Sequence, residues 1–357
     1  MRNLNDSNTT QSNELLQPTV SHSLVYSQLQ INDSVNSEQL QSAQQLQSNV
    51  GLAYTDNSEH DSSIKSSKTY YQDHFKKLEY IGRGSYGTVH NVVHKLDDQV
   101  YAIKTIATND QNKHRDLREV KCLAKVRSQY VVQYYHSWLD NNLLYIQLEY
   151  CPQSLAKVLA DKQLTFGRQS PAEPMNVYEY YITCEIFREL LQSVQYLHDV
   201  KPQIIHRDLN PNNVLINLPL PNIQVSHLSG EWRFIKIGDF GLATLHDPNV
   251  HYRTDQWHTR DVGTVHYQAP EVDTKPPMYG HKSDVYSLAK IGAELFDLAL
   301  HVSTLDGYPR DHVLNGSVVL LHRILQSMVS YPLWNNRPEC REVLAEYNEW
   351  SIDKSVL

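Results

Sequence analysis

Apolar positions are sparse and without period as far as about Lys68, and beyond it they recur with two distinct spacings. The first stretch is built of Ser, Gln, Asn and Asp, as in Ser42-Ala43-Gln44-Gln45-Leu46-Gln47-Ser48-Asn49. Such a segment cannot bury enough apolar area to offset its ordering entropy, so residues 1–69 are expected to be a disordered polar tail. From Tyr71 and Phe75 onward, residues 80–81, 88–93 and 100–106 read as strands, the first pair joined by a glycine loop and the second by a hairpin turn at Lys95-Leu96-Asp97-Asp98. Leu117, Val120, Leu123 and Ala124 then fall at spacings of three and four, which predicts a helix with Glu119 beside its apolar stripe. Strand patterns return over residues 131–138 and 143–149. Beyond Met175 the period turns helical: Ile182, Ile186, Leu190, Val194 and Leu197 share one face, and the remainder is mainly helical. The sum predicts an α+β chain in two lobes. A small β-rich lobe with one helix spans about residues 70–150, a larger α-helical lobe about 151–357, and the cleft between them is where a ligand is expected.

Composition narrows the classes. A net charge of -8 argues against a protein that holds nucleic acid, because phosphate backbones are held by surplus Lys and Arg. The four cysteines, Cys122, Cys151, Cys184 and Cys340, form no C-x-x-C pair, so neither a zinc site nor a disulfide framework is expected; buried, reduced thiols are. The polar start, Met1 to Thr10, carries no signal-type apolar run, and no run of 18 apolar residues occurs. No membrane association is expected, and the cytoplasm is the default location, with the nucleus as the alternative.

Five motifs carry the chemistry. Gly82-Arg83-Gly84-Ser85-Tyr86-Gly87-Thr88-Val89 fits G-x-G-x-x-G-x-V between two strands, where bare backbone N–H groups can approach phosphates. An ordinary glycine hairpin or a dinucleotide fold would share the glycines, but β-branched Thr88, Val92 and Val93 favour a second strand over a helix. Lys104 follows in Tyr101-Ala102-Ile103-Lys104, and strand alternation puts Ala102 and Lys104 on one face. A lone strand lysine is usually solvated; Glu119 on the next helix supplies the carboxylate that can hold this one in place. In His206-Arg207-Asp208-Leu209-Asn210-Pro211-Asn212-Asn213, Asp208 can accept the proton of an incoming hydroxyl and Asn213 can offer an amide oxygen to a metal. Asp239-Phe240-Gly241 supplies the expected main Mg²⁺ ligand, Asp239, and Ala269-Pro270-Glu271 closes the segment behind it.

Together, in this order, these motifs resemble the eukaryotic protein kinases over about residues 75–344, which implies a bilobal protein-kinase fold, ATP and Mg²⁺ as cofactors, and a serine/threonine protein substrate. The resemblance implies that Leu148 is the gatekeeper, that Glu149 to Cys151 form the hinge that meets adenine, and that Val89, Ala102 and Leu215 sandwich its ring, with Ile81, Gly82, Gly84 and Gly87 over the nucleotide. It also implies that Asp284 anchors the catalytic loop and that Arg337 pairs with Glu271. Residues 117–126, 131–139, 144–147 and His258-Thr259-Arg260-Asp261-Val262-Gly263-Thr264 resemble more closely the kinases of the alpha subunit of eukaryotic translation initiation factor 2, a resemblance that implies that factor as substrate and a role in restraining translation under stress. Wee-type cell-cycle kinases share the early stretch and the hinge, but usually lack this Asp-Phe-Gly-Leu-Ala and Val-Gly-Thr. An ATP-binding pseudokinase acting as a docking or decoy protein is the reading from another class.

By the same resemblance, phosphorylation at Thr259 by a second copy, through transient self-association, pairs with Arg207, and Thr264 contacts Asp208. The chain departs from the family at three places. Asn210 stands where a lysine normally meets the γ-phosphate, a loss on the order of 3 kcal/mol, or about a hundredfold in rate. Tyr70 and His74 replace an Arg and an Asp that bridge a back-to-back dimer in several members. The Thr-x-Met-Glu-Arg signature is missing after Phe296.

Overall fold

The computed structural model describes residues 69–84, 87–217, 233–246, 265–273, 280–302, 305 and 307–357. The expectation of a disordered tail therefore falls outside the described residues.

Alternating, β-rich sequence in the first part of the chain forms a five-stranded antiparallel sheet: β1 Phe75–Gly84, β2 Gly87–His94, β3 Val100–Ala107, β4 Tyr134–Asp140 and β5 Leu143–Glu149, in the spatial order β1-β2-β3-β5-β4. In β3 the period of two sorts side chains as expected. Ala102 and Ile106 face the main core, whereas Ile103 joins Phe75, Val92 and Tyr145 on the opposite face. The β2–β3 turn closes through Asp97, whose Oδ1 accepts from the Gln99 N–H at 2.9 Å, and Asp98 takes φ 54°, a left-handed conformation that Asp tolerates.

Two features differ from the sequence expectation. Among the described residues the small lobe carries two helices rather than one: α1 (Tyr70–His74) precedes the helix read from the periodicity, α2 (Lys113–Lys125). Its signal is a capping box, with the Gln72 N–H donating to Thr69 Oγ1 at 3.2 Å and the Thr69 N–H to Gln72 Oε1 at 3.1 Å. The pattern over residues 131–138 also splits. Val131 and Val132 are both buried, so they do not alternate; Val131 bridges in parallel to Ile237 in the large lobe, and the strand begins only at Tyr134.

The large lobe comprises α3 (Leu155–Thr165), α4 (Val177–Asp199), α5 (Lys282–Leu295), α6 (Asn315–Met328), α7 (Cys340–Ala345) and α8 (Tyr347–Trp350). Asn176 caps α4 by accepting from the Glu179 N–H at 2.8 Å. The predicted stripe Ile182, Ile186, Leu190, Val194 and Leu197 is buried throughout, each side chain contributing roughly 1.5–3 kcal/mol relative to exposure. Between the helices and the upper sheet lie short strands: β6 (Gln153–Ser154), β8 (Val214–Ile216) and β9 (Ile235–Ile237) in one sheet, β7 (Gln203–Ile205) and β10 (Thr244–His246) in another. All four cysteines are buried and unpaired, as expected. No helix among the described residues is long and apolar enough to cross a membrane.

Candidate active site

The inward face of β3 and the buried face of α2 bring together the first pair. Lys104 Nζ lies 2.8 and 2.9 Å from Glu119 Oε1 and Oε2, and 2.7 Å from Asp239 Oδ1, which arrives from the far lobe behind β9. Burial alone would drive the ammonium toward neutrality; the carboxylates of Glu119 and Asp239 reverse this and raise its pKa. Burial likewise works to raise the Asp239 carboxyl, but Lys104 prevails and holds it below the ordinary aspartate range. One cation thus faces two carboxylates, a formal surplus of one negative charge in the cleft.

The loop carrying Asp208 is fixed from beneath by Asp284 in the first turn of α5. Its Oδ2 accepts from the His206 N–H and its Oδ1 from the Arg207 N–H, each at 2.9 Å, and His198 Nε2 lies 3.0 Å from Oδ2. These bonds hold Arg207 at φ 70°, a conformation strained for a long side chain, and so turn the next residue upward. Asp208 is then gripped by two amides. Asn213 Nδ2 donates to its carbonyl at 2.8 Å and to Oδ2 at 3.1 Å; Asn210 Nδ2 donates to the carbonyl at 3.1 Å and to Oδ1 at 3.2 Å.

Gly238 joins this loop to Asp239. Its N–H donates to the Asn213 carbonyl at 2.8 Å, and its carbonyl accepts from His206 Nε2 at 2.9 Å. A Cβ at Gly238 would meet Leu215 Cδ1 at 2.9 Å, so a larger residue here would displace the Leu215 side chain. Phe240 is fully buried with its ring edge-on to His206 at 5.1 Å, and Asp239 sits at φ 53° with Oδ1 accepting from the Gly241 N–H at 3.1 Å. No described residue donates to Asp239 Oδ2 or to Asn213 Oδ1. Two hard oxygen donors beside a surplus negative charge suit a magnesium ion.

Sequence-predicted residues fall around this centre. Gly82 and Gly84 end β1 and Gly87 opens β2, where a Cβ would clash with the Thr105 carbonyl oxygen; Ile81 is exposed beside them. Val89 lies opposite Lys104 across the β2–β3 ladder, and Ala102 opposite Leu148. Leu215 is half-buried in β8, Glu149 ends β5, and Cys151 follows it with its thiol pushed up to about 12 by burial, which removes it as a nucleophile. Arg207 donates from Nη1 to Thr244 Oγ1 at 2.9 Å. Thr259 and Thr264 lie outside the described residues. Sequence reasoning missed His198, Thr244 and Lys236. A histidine late in an amphipathic helix and a lysine inside Ile-Lys-Ile carry no motif; only the fold brings them to Asp284, Arg207 and Glu149.

Comparison with known proteins agrees with this arrangement. Residues 75–345 match the protein kinase domain family. Among curated relatives, the eIF-2-alpha kinase GCN2 of Arabidopsis thaliana is 28% identical, over 68% of this chain and 21% of its own length. The interferon-induced, double-stranded RNA-activated protein kinase of Rattus norvegicus is 27% identical over 77% of this chain and 52% of its own, and the Wee1-like protein kinase of Oryza sativa subsp. japonica 26% over 77% and 47%. The chain thus spans from about a fifth to about half of the relatives it matches. With the motifs, the formed Lys104–Glu119 pair and a family match over most of its length, this chain belongs to the protein kinase domain family.

Proposed function

We propose that this kinase transfers the γ-phosphate of ATP, with Mg²⁺, to the alpha subunit of eukaryotic translation initiation factor 2, so lowering translation initiation under stress. The observation that supports the transfer most is the single cluster of Lys104, Glu119 and Asp239 linked through Gly238 to the loop of Asp208 and Asn213. In this reading Lys104, held by Glu119, binds the α- and β-phosphates, and Asn213 and Asp239 hold the metal. The metal supplies charge neutralisation on the phosphates. Asp208, its two oxygens fixed by Asn210 and Asn213, orients the substrate hydroxyl and accepts its proton. Glu149 and Cys151 meet the adenine edge, and Ile81, Val89, Ala102 and Leu215 enclose the ring beneath Gly82, Gly84 and Gly87.

The substrate reading rests on residues 117–126, 131–139, 144–147 and 258–264 and on the printed name of the Arabidopsis thaliana relative, an eIF-2-alpha kinase. Residues 70–357 form the kinase unit, the cytoplasm is its place of action, and Thr259, modified by a second copy, pairs with Arg207. A Wee-like kinase is the second reading, supported by the Oryza sativa relative and the Gln147-Leu148-Glu149-Tyr150-Cys151 hinge. The test is a radiolabelled ATP assay of wild type against Asp208→Ala on the initiation-factor subunit and on a generic basic protein. Incorporation into the factor by wild type alone is expected. Labelling of the generic protein but never the factor refutes the substrate, and equal labelling by both enzymes refutes the transfer reading.

A further inference from the structure

Glu149 is the last residue of β5 and opens the connection that carries the chain from the upper sheet to β6 in the large lobe. Its carboxylate is not solvated in the usual manner. Lys236, the central residue of β9 and three positions before Asp239, places Nζ 2.9 Å from Oε1 and 2.7 Å from Oε2. Oε2 also accepts from the Gln133 N–H at 3.0 Å, and the Glu149 N–H returns a bond to the Gln133 carbonyl at 2.8 Å. Just before Gln133, the Val132 N–H donates to the Ile237 carbonyl and the Ile237 N–H to the Tyr130 carbonyl, both at 3.0 Å. Residues 130–133 therefore form a strap bonded at one end to β9 and at the other to the end of β5. The Lys236–Glu149 pair closes that ring directly.

Its location gives the ring a use. Leu215 and Lys236 are partners in the β8–β9 ladder, so their side chains share one face of the sheet, and Leu215 is a proposed floor of the adenine site. β9 leads into Asp239, and β5 leads into the segment proposed to meet the adenine edge. The side chains of the pair are 11% and 20% exposed, so water screens the interaction less than at a surface, and removing one partner leaves the other charged and poorly solvated.

We propose that Lys236 and Glu149 are positioning residues for the nucleotide, their ion pair fixing residues 149–151 relative to β9 so that the base and the phosphates are held in one register. The proposal rests on the reading of the cleft as an ATP site. Without Lys236, Glu149 keeps one backbone donor, turns toward water and draws the connection with it; the phosphate ligands stay where the catalytic loop holds them.

Direct binding of a fluorescent N-methylanthraniloyl-ATP separates the outcomes. Lys236→Met is expected to weaken Kd and raise KM for ATP about tenfold, a small displacement of a bound group being enough for that, with kcat at saturating ATP and KM for the protein substrate near wild type. Lys236→Arg is expected to restore binding, and the double variant Lys236→Met/Glu149→Gln to bind more tightly than Lys236→Met, since no unpaired carboxylate remains. Glu149→Gln alone, read in the same assay, serves if Lys236→Met does not fold. A lower melting temperature with unchanged nucleotide Kd, or an arginine variant as impaired as the methionine one, overturns the proposal and leaves a purely structural pair. Failure of the wild type itself to bind the probe overturns instead the ATP reading beneath it.

Discussion

Two buried ion clusters in this kinase use the same groups to opposite ends. Arg337 meets Glu271 through two parallel bonds of 2.5 and 2.8 Å, donates further to the Lys282 and Ser330 carbonyls, and lies against the Tyr286 ring at 5.1 Å. Its charges cancel. The Lys104 cluster sets one ammonium between two carboxylates, one from each lobe, and leaves Asp239 Oδ2 without a described donor. The difference fits the proposed roles: the balanced pair ties the segment closing at Glu271 to the large lobe, and the unbalanced one carries the surplus charge that a cation and its phosphates would meet.

Substitution sharpens that contrast, beginning with the largest effect. Asp239→Asn is expected to lower kcat/KM about 10³-fold, within the range for loss of a preorganised charge contact, while the melting temperature stays near wild type, because the variant relieves surplus negative charge. A fall in melting temperature as large as that of an Arg337 variant would break the comparison. For the balanced pair the order reverses: Arg337→Met strands a buried Glu271 and is expected to cost about 3 kcal/mol in denaturant unfolding, most of it recovered in Arg337→Met/Glu271→Gln.

The Asp284 carboxylate lies between these cases. Burial opposes its ionisation, yet His198 and the loop N–H groups bring its pKa below the ordinary range. A depressed folded-state pKa stabilises above the unfolded value of about 3.9 and is lost as pH falls through the folded one. Asp284→Asn should therefore be less stable than wild type by about 2 kcal/mol at pH 7, a deficit that shrinks only below about pH 4 in urea titrations. The smallest effect belongs to Asn210→Lys, which gains a phosphate contact of about 3 kcal/mol and gives up two hydrogen bonds of about 1 kcal/mol each, for a roughly fivefold rise in kcat measured at saturating ATP.

Legibility followed the range of each interaction. The period of two in β3 foretold that Ala102 and Lys104 share one face, the stripe on α4 foretold its buried face, and the motif around Asp208 lies in a loop that the fold joins to Asp239 through Gly238. Short α1 escaped because its evidence is one capping box without an apolar face, and Val131-Val132 read as ordinary strand because their true partner, Ile237, is over a hundred residues away. Lys236 escaped for the same reason: an ion pair 87 residues apart leaves no spacing to read. Asn210 was legible as a missing cation, but its grip on Asp208 was not.

Thermal melting of wild type and Asp239→Asn with a non-hydrolysable ATP analogue, each with and without Mg²⁺, tests the unbalanced cluster most directly. Wild type should gain stability from the analogue well beyond the gain without metal, and Asp239→Asn should lose that metal-dependent increment. An equal Mg²⁺-dependent increment in both proteins would contradict the account.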